Sequence, residues 1–138
     1  MFTRLRNMLK RQPKSLGARG EAVAAKYLRR LGYAIVAQGA RDRLGELDLV
    51  AVDQRAVVFV EVKTRQSADA EHPAEAVNDA KQRRVTRAAM AFLKRHDLLE
   101  HAARFDIVAV TWPPGTRRPT IEHFPNAFEP TGQGQFFS

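Results

Sequence analysis

The chain has 138 residues, with 23 Lys plus Arg against 15 Asp plus Glu and a formal net charge of +8. That length fits one domain, and 44% hydrophobic with 28% charged residues is typical of a globular fold. There is no cysteine, which excludes disulfides, iron–sulfur clusters, thiolate zinc sites and a cysteine nucleophile, and is consistent with a cytoplasmic location. Fully apolar runs such as Ala56–Val60 are far shorter than the roughly 20 residues of a membrane span.

The positive charge is concentrated at the N-terminus. Met1–Arg19 holds six of the basic residues and no acid, which leaves 17 basic and 15 acidic residues, a net charge of +2, for the remainder. We expect residues 1–16 to form a basic arm, either mobile or as a short amphipathic helix over Met1–Arg11. Such an arm suits an anionic partner, for which nucleic acid is favoured over a membrane surface.

The hydrophobic pattern of the rest of the chain alternates between helical and strand periods. An amphipathic helix is predicted around Glu21–Leu31, ended by Gly32, and a second, longer helix from Ala74 to about Leu99. The predicted strands are Tyr33–Ala37, Gly45–Val52, Ala56–Thr64, Phe105–Trp112 and, as a fifth candidate, Thr120–Phe124, with a loop over Gln38–Leu44 between the first two. This α-β-β-β-α-β order implies an α/β domain over 17–128 whose mixed central sheet is flanked by helices, followed by a tail over 129–138.

Two of the predicted strands bring acidic side chains together. If the second and third strands form a hairpin with Gln54 and Arg55 at its tip, Asp48 lies directly opposite Glu61 on the same face. Two carboxylates about 4 Å apart repel each other by about 4 kcal/mol at an effective dielectric constant near 20. A divalent cation removes that penalty, and oxygen ligands suit Mg²⁺ or Mn²⁺. The pair therefore predicts a metal site of the kind that hydrolyses phosphodiesters.

Three further side chains are expected near this pair. Glu21 lies on the sheet side of its helix, where an acid is normally paired or bound to a metal. Lys63 follows Glu61 by two residues and would orient the attacking water or offset charge on the phosphate. Glu46 falls opposite Lys63 in the same register, so it either forms a cross-strand ion pair with Lys63 or belongs to the second tier of the site.

The long helix contributes a second group of candidates. Lys81 lies within its apolar arc and Gln82 at the margin, so both are second-tier site residues. Alternatively, the stem of Lys81 packs while its amine extends to solvent. The opposite side of the helix is either a solvated face or a stripe that contacts a nucleic-acid backbone. Its basic residues are Arg83, Arg84, Arg87 and Lys94.

The remaining titratable residues are assigned structural or surface positions. Asp106, between Phe105 and Ile107, is expected to make a structural contact. The histidines lack metal-ligand spacing and are expected at the surface. They are His72, His96, His101 and His123.

Several short motifs follow one another along the chain. They are Gly17-x-x-Gly-Glu21, Gly45-Glu-Leu-Asp48-Leu-Val-Ala51, Phe59-Val-Glu61-Val-Lys63-Thr-Arg65, Pro73-x-Glu-Ala-Val77 with Lys81-Gln-Arg-Arg84, Arg104-Phe-Asp106 and Asn126-Ala-Phe128. Together they resemble the uncharacterised bacterial YraN-like family, from about Gly17 to Phe128. That family is placed in the restriction-endonuclease-like superfamily of PD-(D/E)XK nucleases, similar to archaeal Holliday-junction resolvases. By this likeness the nuclease positions are Glu21, Asp48, Glu61 and Lys63, with Gln82 near a further helix position of the superfamily.

The resemblance implies a Mg²⁺- or Mn²⁺-dependent nuclease acting on DNA rather than RNA, with branched or damaged structures among its substrates. Asp48 and Glu61 would ligate the metal together with the backbone carbonyl of Val62, and Glu21 would act directly or through water. Lys63 would position or activate the nucleophile. The likeness to the resolvases adds a homodimer as an expectation. The alternative is a non-catalytic nucleic-acid-binding or adaptor protein that keeps the nuclease fold, and contact of the basic arm with a membrane is the least favoured.

Overall fold

In the described part of the chain, a mixed five-stranded sheet, whose strands lie side by side in chain order, carries one helix on each face. The computed structural model describes residues 15–43, 45–67 and 77–130. Its elements are α1 (Leu16–Arg30), β1 (Ala34–Asp42), β2 (Gly45–Asp53), β3 (Ala56–Arg65), α2 (Asp79–Arg95), β4 (Ala103–Thr111) and β5 (Thr120–Phe128). Neighbouring strands are antiparallel except β3 and β4, which are parallel. The predicted mixed α/β architecture is confirmed, whereas the predicted helix over Met1–Arg11, the tail beyond Pro130 and His72 lie outside the described residues.

The two helices begin at side-chain caps. The hydroxyl of Ser15 accepts a hydrogen bond from the Ala18 N–H at 3.1 Å, and the side chain of Asn78 accepts one from the Lys81 N–H at 2.9 Å. The predicted start of the second helix at Ala74 is wrong for the described residues, since Val77 and Asn78 precede the first helical turn. That helix also ends earlier than Leu99, because the chain turns at Asp97, whose φ is +58°.

The strands are longer than their apolar patterns predict. The expected loop over Gln38–Leu44 is wrong because β1 continues to Asp42 and pairs with β2, with Arg41 opposite Glu46. The fifth strand is confirmed and extends to Phe128, whose ring stacks on that of Phe105 with centroids 4.7 Å apart. Backbone pairing therefore continues past the point where the hydrophobic pattern stops, although the register of β5 shifts between Phe124 and Phe128.

The core has two halves, one on each face of the sheet. On the α1 side, Ala24, Ala25 and Leu28 pack on strand residues of even number in β3 and β4, such as Val58 and Val108. The α2 half uses the odd-numbered neighbours in β3 and β4. Its buried residues include Val57, Phe59, Phe105, Val85, Ala88, Ala89 and Leu93. A fully buried Val, Leu or Phe side chain stabilises the fold by about 1.5–3 kcal/mol. Both helices are therefore held in place by burial rather than by intrinsic helix propensity.

A buried polar cluster on the α1 side contains Asp106, which is completely buried. Its carboxylate accepts hydrogen bonds from Arg104 Nε at 3.0 Å and from the Asn126 N–H at 2.9 Å, and it lies 2.8 Å from His123 Nε2. Arg104 also reaches the hydroxyl of Tyr33 at 2.7 Å. The predicted structural role of Asp106 is confirmed. The surface position predicted for His123 is wrong, since only 7% of its side chain is exposed, because the imidazole is the partner of a buried acid.

Candidate carboxylate site

The β2–β3 hairpin sets the register of the site. Gln54 occupies its tip with a φ of +57°, and paired residues run from Asp53 opposite Ala56 to Leu49 opposite Val60. This confirms the predicted hairpin. The ladder stops one residue before Asp48 would face Glu61, and the carboxylate of Asp48 instead accepts a hydrogen bond from the Val62 N–H at 2.9 Å.

An irregularity in β2 explains why the ladder stops there. Leu47 and Leu49 are two residues apart and would share a face in a regular strand. However, Leu47 packs in the α2 half of the core, whereas Leu49 packs in the α1 half. The alternation therefore breaks at Asp48, and its side chain turns toward the backbone of β3 instead of standing on the sheet surface.

The two carboxylates lie in a poorly solvated position. Only 7% of the Glu61 side chain is exposed, and its burial, together with the charge of Asp48, raises the pKa of Glu61 to about 7. Burial also raises the pKa of Asp48, against the opposing effect of the Val62 N–H and of Lys81. Burial is the largest cause of both shifts, because it disfavours a charged carboxylate, and Lys81 opposes it at each of the two acids.

Lys81 is the cation closest to this pair in the structure. It lies in the first turn of α2, where the Asn78 cap orients the chain, and its Nζ atom is 2.8 Å from Oε1 of Glu61. The hydrogen bond to Glu61 raises the pKa of Lys81, which therefore stays protonated. Of the two alternatives for Lys81, the structure supports a contact with the site.

Glu21 and Lys63 complete the walls of the pocket. Glu21 is half-buried on α1, and its burial, followed by the charges of Asp48 and Glu46, raises the pKa of its carboxyl. Lys63 is exposed at the mouth. The resulting open cavity has a volume of about 300 Å³ and is lined by Gly17, Glu21, Asp48, Glu61, Val62, Lys63, Thr64 and Lys81. The four residues predicted to be catalytic therefore share one pocket.

Two of the second-tier candidates, Glu46 and Gln82, do not line the pocket. Glu46 is bound by Arg41 of β1 at 2.9 Å, so of its two alternatives the ion pair with Lys63 is wrong. Gln82 donates its side-chain amide to the Val77 carbonyl at 2.9 Å and does not line the pocket, so its expected position in the site is wrong. It closes the turn that leads into α2. The basic residues predicted to contact a nucleic-acid backbone are all exposed: Arg83, Arg84, Arg87 and Lys94.

Two glycines and a threonine belong to the site although the sequence pattern did not single out their roles. Gly17 and Thr64 line the pocket, and Gly20 lies so close to Thr64 that any Cβ there would collide with the threonine hydroxyl. This contact holds the first turns of α1 against β3 and fixes where Glu21 points. The only signal in the sequence is the spacing of Gly17 and Gly20 ahead of Glu21.

The donor set fits a hard divalent cation that keeps much of its hydration. Within residues 15–43, 45–67 and 77–130, no three His, Asp or Glu side chains converge as a ready-made metal site. Mg²⁺ needs only one or two carboxylates, because water and phosphate oxygens complete its octahedron. Asp48 and Glu61, which line one pocket, supply two carboxylates and so meet that requirement.

The fold and pocket define a mixed α/β domain with a carboxylate pair at the open end of the β2–β3 hairpin, away from its turn. Residues 20–110 match the family described as "Uncharacterised protein family UPF0102", and the chain belongs to that family. A UPF0102 protein of Rhodopirellula baltica is 48% identical over 125 residues, covering 88% of this chain and 75% of that protein. Those of Geobacter sulfurreducens and Nocardia farcinica are 50% and 45% identical, covering 84% and 83% of this chain and 90% of each relative. No described helix is long and apolar enough to cross a membrane.

Proposed function

We propose that this protein is a metal-dependent nuclease that hydrolyses phosphodiester bonds in DNA, branched or damaged structures included. The observation that carries the proposal is the pair formed by the half-buried Asp48 and the buried Glu61, which share one pocket with Lys63 and Glu21. Acids with a purely structural role are normally either exposed to solvent or neutralised by neighbouring cations. Here two acids of raised pKa face an open cavity, which is the arrangement found where acids perform chemistry.

Each acid of the pocket, and Lys63, has a role that its position supports. Asp48 and Glu61, with the carbonyl of Val62, would hold Mg²⁺ or Mn²⁺, and Glu21 would bind it directly or through water. The bound ion would supply Lewis-acid polarisation of the phosphate. Lys63, at the open mouth, would hold the attacking water and offset charge that develops on the phosphate oxygens. The exposed arginines of α2 would contact the nucleic-acid backbone on either side of the phosphate that is attacked.

A non-catalytic nucleic-acid-binding protein is the second candidate, and one observation favours it. The ammonium of Lys81 already neutralises Glu61 at 2.8 Å, as a structural ion pair in a relic site would do. With Lys81 in place, Glu61 needs no metal ion to compensate its charge. The two candidates differ in whether the carboxylates are needed for turnover or only for stability.

Cleavage of labelled duplex, single-stranded and four-way DNA with Mg²⁺ or Mn²⁺ separates the two. Glu61→Gln keeps the side-chain shape and removes the charge, so cleavage should fall by at least about 100-fold, by analogy with perturbed metal sites. The matched control is Glu122→Gln, an exposed acid on β5. If wild-type protein and Glu61→Gln cleave alike, the nuclease proposal fails. Binding that survives both EDTA and Asp48→Asn, with no cleavage by the wild type, supports the second candidate.

A further inference from the structure

A second, larger groove lies between α1 and the start of β5, on the other side of α1 from the carboxylate pocket. Its volume is about 350 Å³, within the range of ligand-binding clefts. One wall is the outer face of α1 and the other is the segment entering β5. The lining residues that the argument uses are Lys26, Tyr27 and Arg30 from α1, and Arg118 and Ile121 from the opposite wall.

The cations of α1 form a stripe along this groove. At about 100° per residue, Lys26 and Arg30 project within about 20° of Arg19, so all three lie on one face of the helix. Arg19 lies over the ring of Trp112, with 4.1 Å between its guanidinium carbon and the ring centroid. Trp112 follows the last residue of β4 and remains partly exposed. The stripe therefore runs past an aromatic side chain, a combination typical of surfaces that bind single strands.

No acid of the described chain forms an ion pair with the cations of the groove. Lys26, Arg30 and Arg118 are exposed, and no ion pair within the described ranges includes them. The nearest acid along β5 is Glu122. Because side chains alternate along a strand and Ile121 packs on the α1 side, Glu122 points to the other face. The groove thus presents net positive charge to solvent.

The floor of the groove rests on the buried polar cluster. The ring of Tyr27 meets His123 edge-on, with centroids 5.8 Å apart, and His123 is bound to the buried Asp106. Tyr27 is therefore supported from below, and the groove keeps its shape when it is empty. A preformed groove loses little conformational entropy when a ligand binds.

The position of the stripe connects the groove to the carboxylate pocket. Gly17 and Glu21, at the N-terminal end of α1, line the pocket, and Arg19 lies between them in sequence on the groove side. From Arg19 to Arg30 the helix rises about 16 Å, which corresponds to about five nucleotides at the duplex rise of about 3.4 Å per nucleotide. A strand that leaves the pocket around the start of α1 would follow this stripe.

We infer that the α1–β5 groove binds the phosphates of a nucleic-acid strand, several nucleotides away from the bond held at the carboxylate pocket. The placement of that bond rests on the proposed function, whereas binding in the groove does not. Lys26, Arg30 and Arg118 contact successive phosphates, and the apolar floor of Tyr27 and Ile121 lies beneath a sugar or base. The full chain has this surface in addition to its basic N-terminal segment.

Binding of a labelled 20-nucleotide single strand, measured in EDTA over a series of salt concentrations, tests this inference. The groove variant is the double substitution Arg30→Gln and Arg118→Gln, one residue from each wall. Losing two phosphate contacts on a single strand should reduce the slope of log K against log salt by about 1.4, which is about 25-fold weaker binding at 0.1 M salt. The charge-matched control is Arg29→Gln with Arg55→Gln, because both are exposed and neither lines the groove. Circular dichroism verifies that both variants fold.

The outcomes separate this inference from the nuclease proposal. Since EDTA prevents metal-dependent cleavage, a groove-dependent loss of affinity supports the groove even if the protein never cleaves DNA. Equal loss in the groove and control variants means a diffuse charge effect and overturns the inference. A parallel titration with AMP distinguishes a site for free nucleotides. If the groove variant loses AMP binding but keeps strand affinity, the occupant is a free nucleotide and the inference is wrong.

Discussion

The Nζ atom of Lys81 lies 2.8 Å from Oε1 of Glu61, so the first turn of α2 is ion-paired to β3 inside the pocket. Removing the ammonium leaves a nearly buried carboxylate beside Asp48. Breaking a fully buried pair costs about 3–5 kcal/mol, but 42% of the Lys81 side chain is exposed and solvent replaces part of the interaction. We therefore expect Lys81→Met to lower the free energy of unfolding by about 1 kcal/mol in EDTA, measured by urea denaturation.

The control for this prediction is Lys94→Met, an exposed lysine in the last turn of the same helix. It loses the same charge without touching an acid of the pocket. Equal stabilities for the two variants would show that the ion pair with Glu61 contributes nothing to the fold.

Divalent cations should stabilise the wild-type protein. An ion that binds only the folded state at ten times its dissociation constant adds about 1.4 kcal/mol. For a domain of this size that raises the melting temperature by on the order of 5 °C. Asp48→Asn and Glu61→Gln should each abolish the increase, measured by thermal denaturation with MgCl₂ or MnCl₂ against NaCl of equal ionic strength. The increase should persist in Glu122→Gln, and a rise of equal size in all four proteins would place the ion elsewhere.

The hairpin that holds the carboxylates was predictable because its turn is short. A two-residue turn at Gln54 and Arg55 fixes the register of both strands, so counting outward places Asp48 beside Glu61 without any tertiary information. The apolar stripe of α1 likewise predicted which side of the helix faces the sheet, and hence that Glu21 points toward the pair.

The partners of Glu46 and Gln82 were not predictable by the same count. The register opposes Glu46 to Lys63 only if β2 stays regular, and the break at Asp48 turns Glu46 toward Arg41 of β1. A helical wheel places Gln82 at the margin of the sheet side, but its side-chain amide donates to the carbonyl of Val77, which lies just before the helix. Both outcomes depend on the local course and hydrogen bonding of the backbone, which periodicity does not report.

Gly20 is expected to tolerate no side chain. A Cβ there would collide with the hydroxyl of Thr64 and lie 2.9 Å from its Cβ, so α1 would have to move away from β3. Gly20→Ala should destabilise the protein by about 1–3 kcal/mol, the usual cost of overpacking. It should also lower any metal-dependent cleavage, because Glu21 moves with the helix.

Gly17→Ala is the matched variant for Gly20→Ala, since nothing lies within 4 Å of a Cβ at Gly17 and alanine favours the helix. It should leave the free energy of unfolding unchanged or raise it by up to about 1 kcal/mol. Thermal and urea denaturation of both variants test the contact. Equal stability of the two would mean that the close approach of α1 to Thr64 does not constrain the fold.

Asp106 is expected to make stability dependent on pH in the acid range. Burial alone would raise its pKa, but hydrogen bonds from His123, from the Asn126 N–H and from Arg104 outweigh burial and lower the pKa of Asp106 below its ordinary value of 3.8. A carboxyl whose pKa is lower in the folded than in the unfolded state stabilises the protein above the unfolded value. That stabilisation is lost as the pH falls through the folded value.

Asp106→Asn should therefore lower the free energy of unfolding by about 3 kcal/mol at pH 6, since Arg104 and His123 lose a buried anionic partner. The difference from wild type should shrink below about pH 3.8, where protonation of the wild-type carboxyl removes the same charge. Urea denaturation at pH 6, 4 and 3 measures this trend, with Asp97→Asn, an exposed acid at a positive φ, as the control. A difference that stays constant from pH 6 to pH 3 would mean that the charge of Asp106 does not stabilise the cluster, and that its shape alone does.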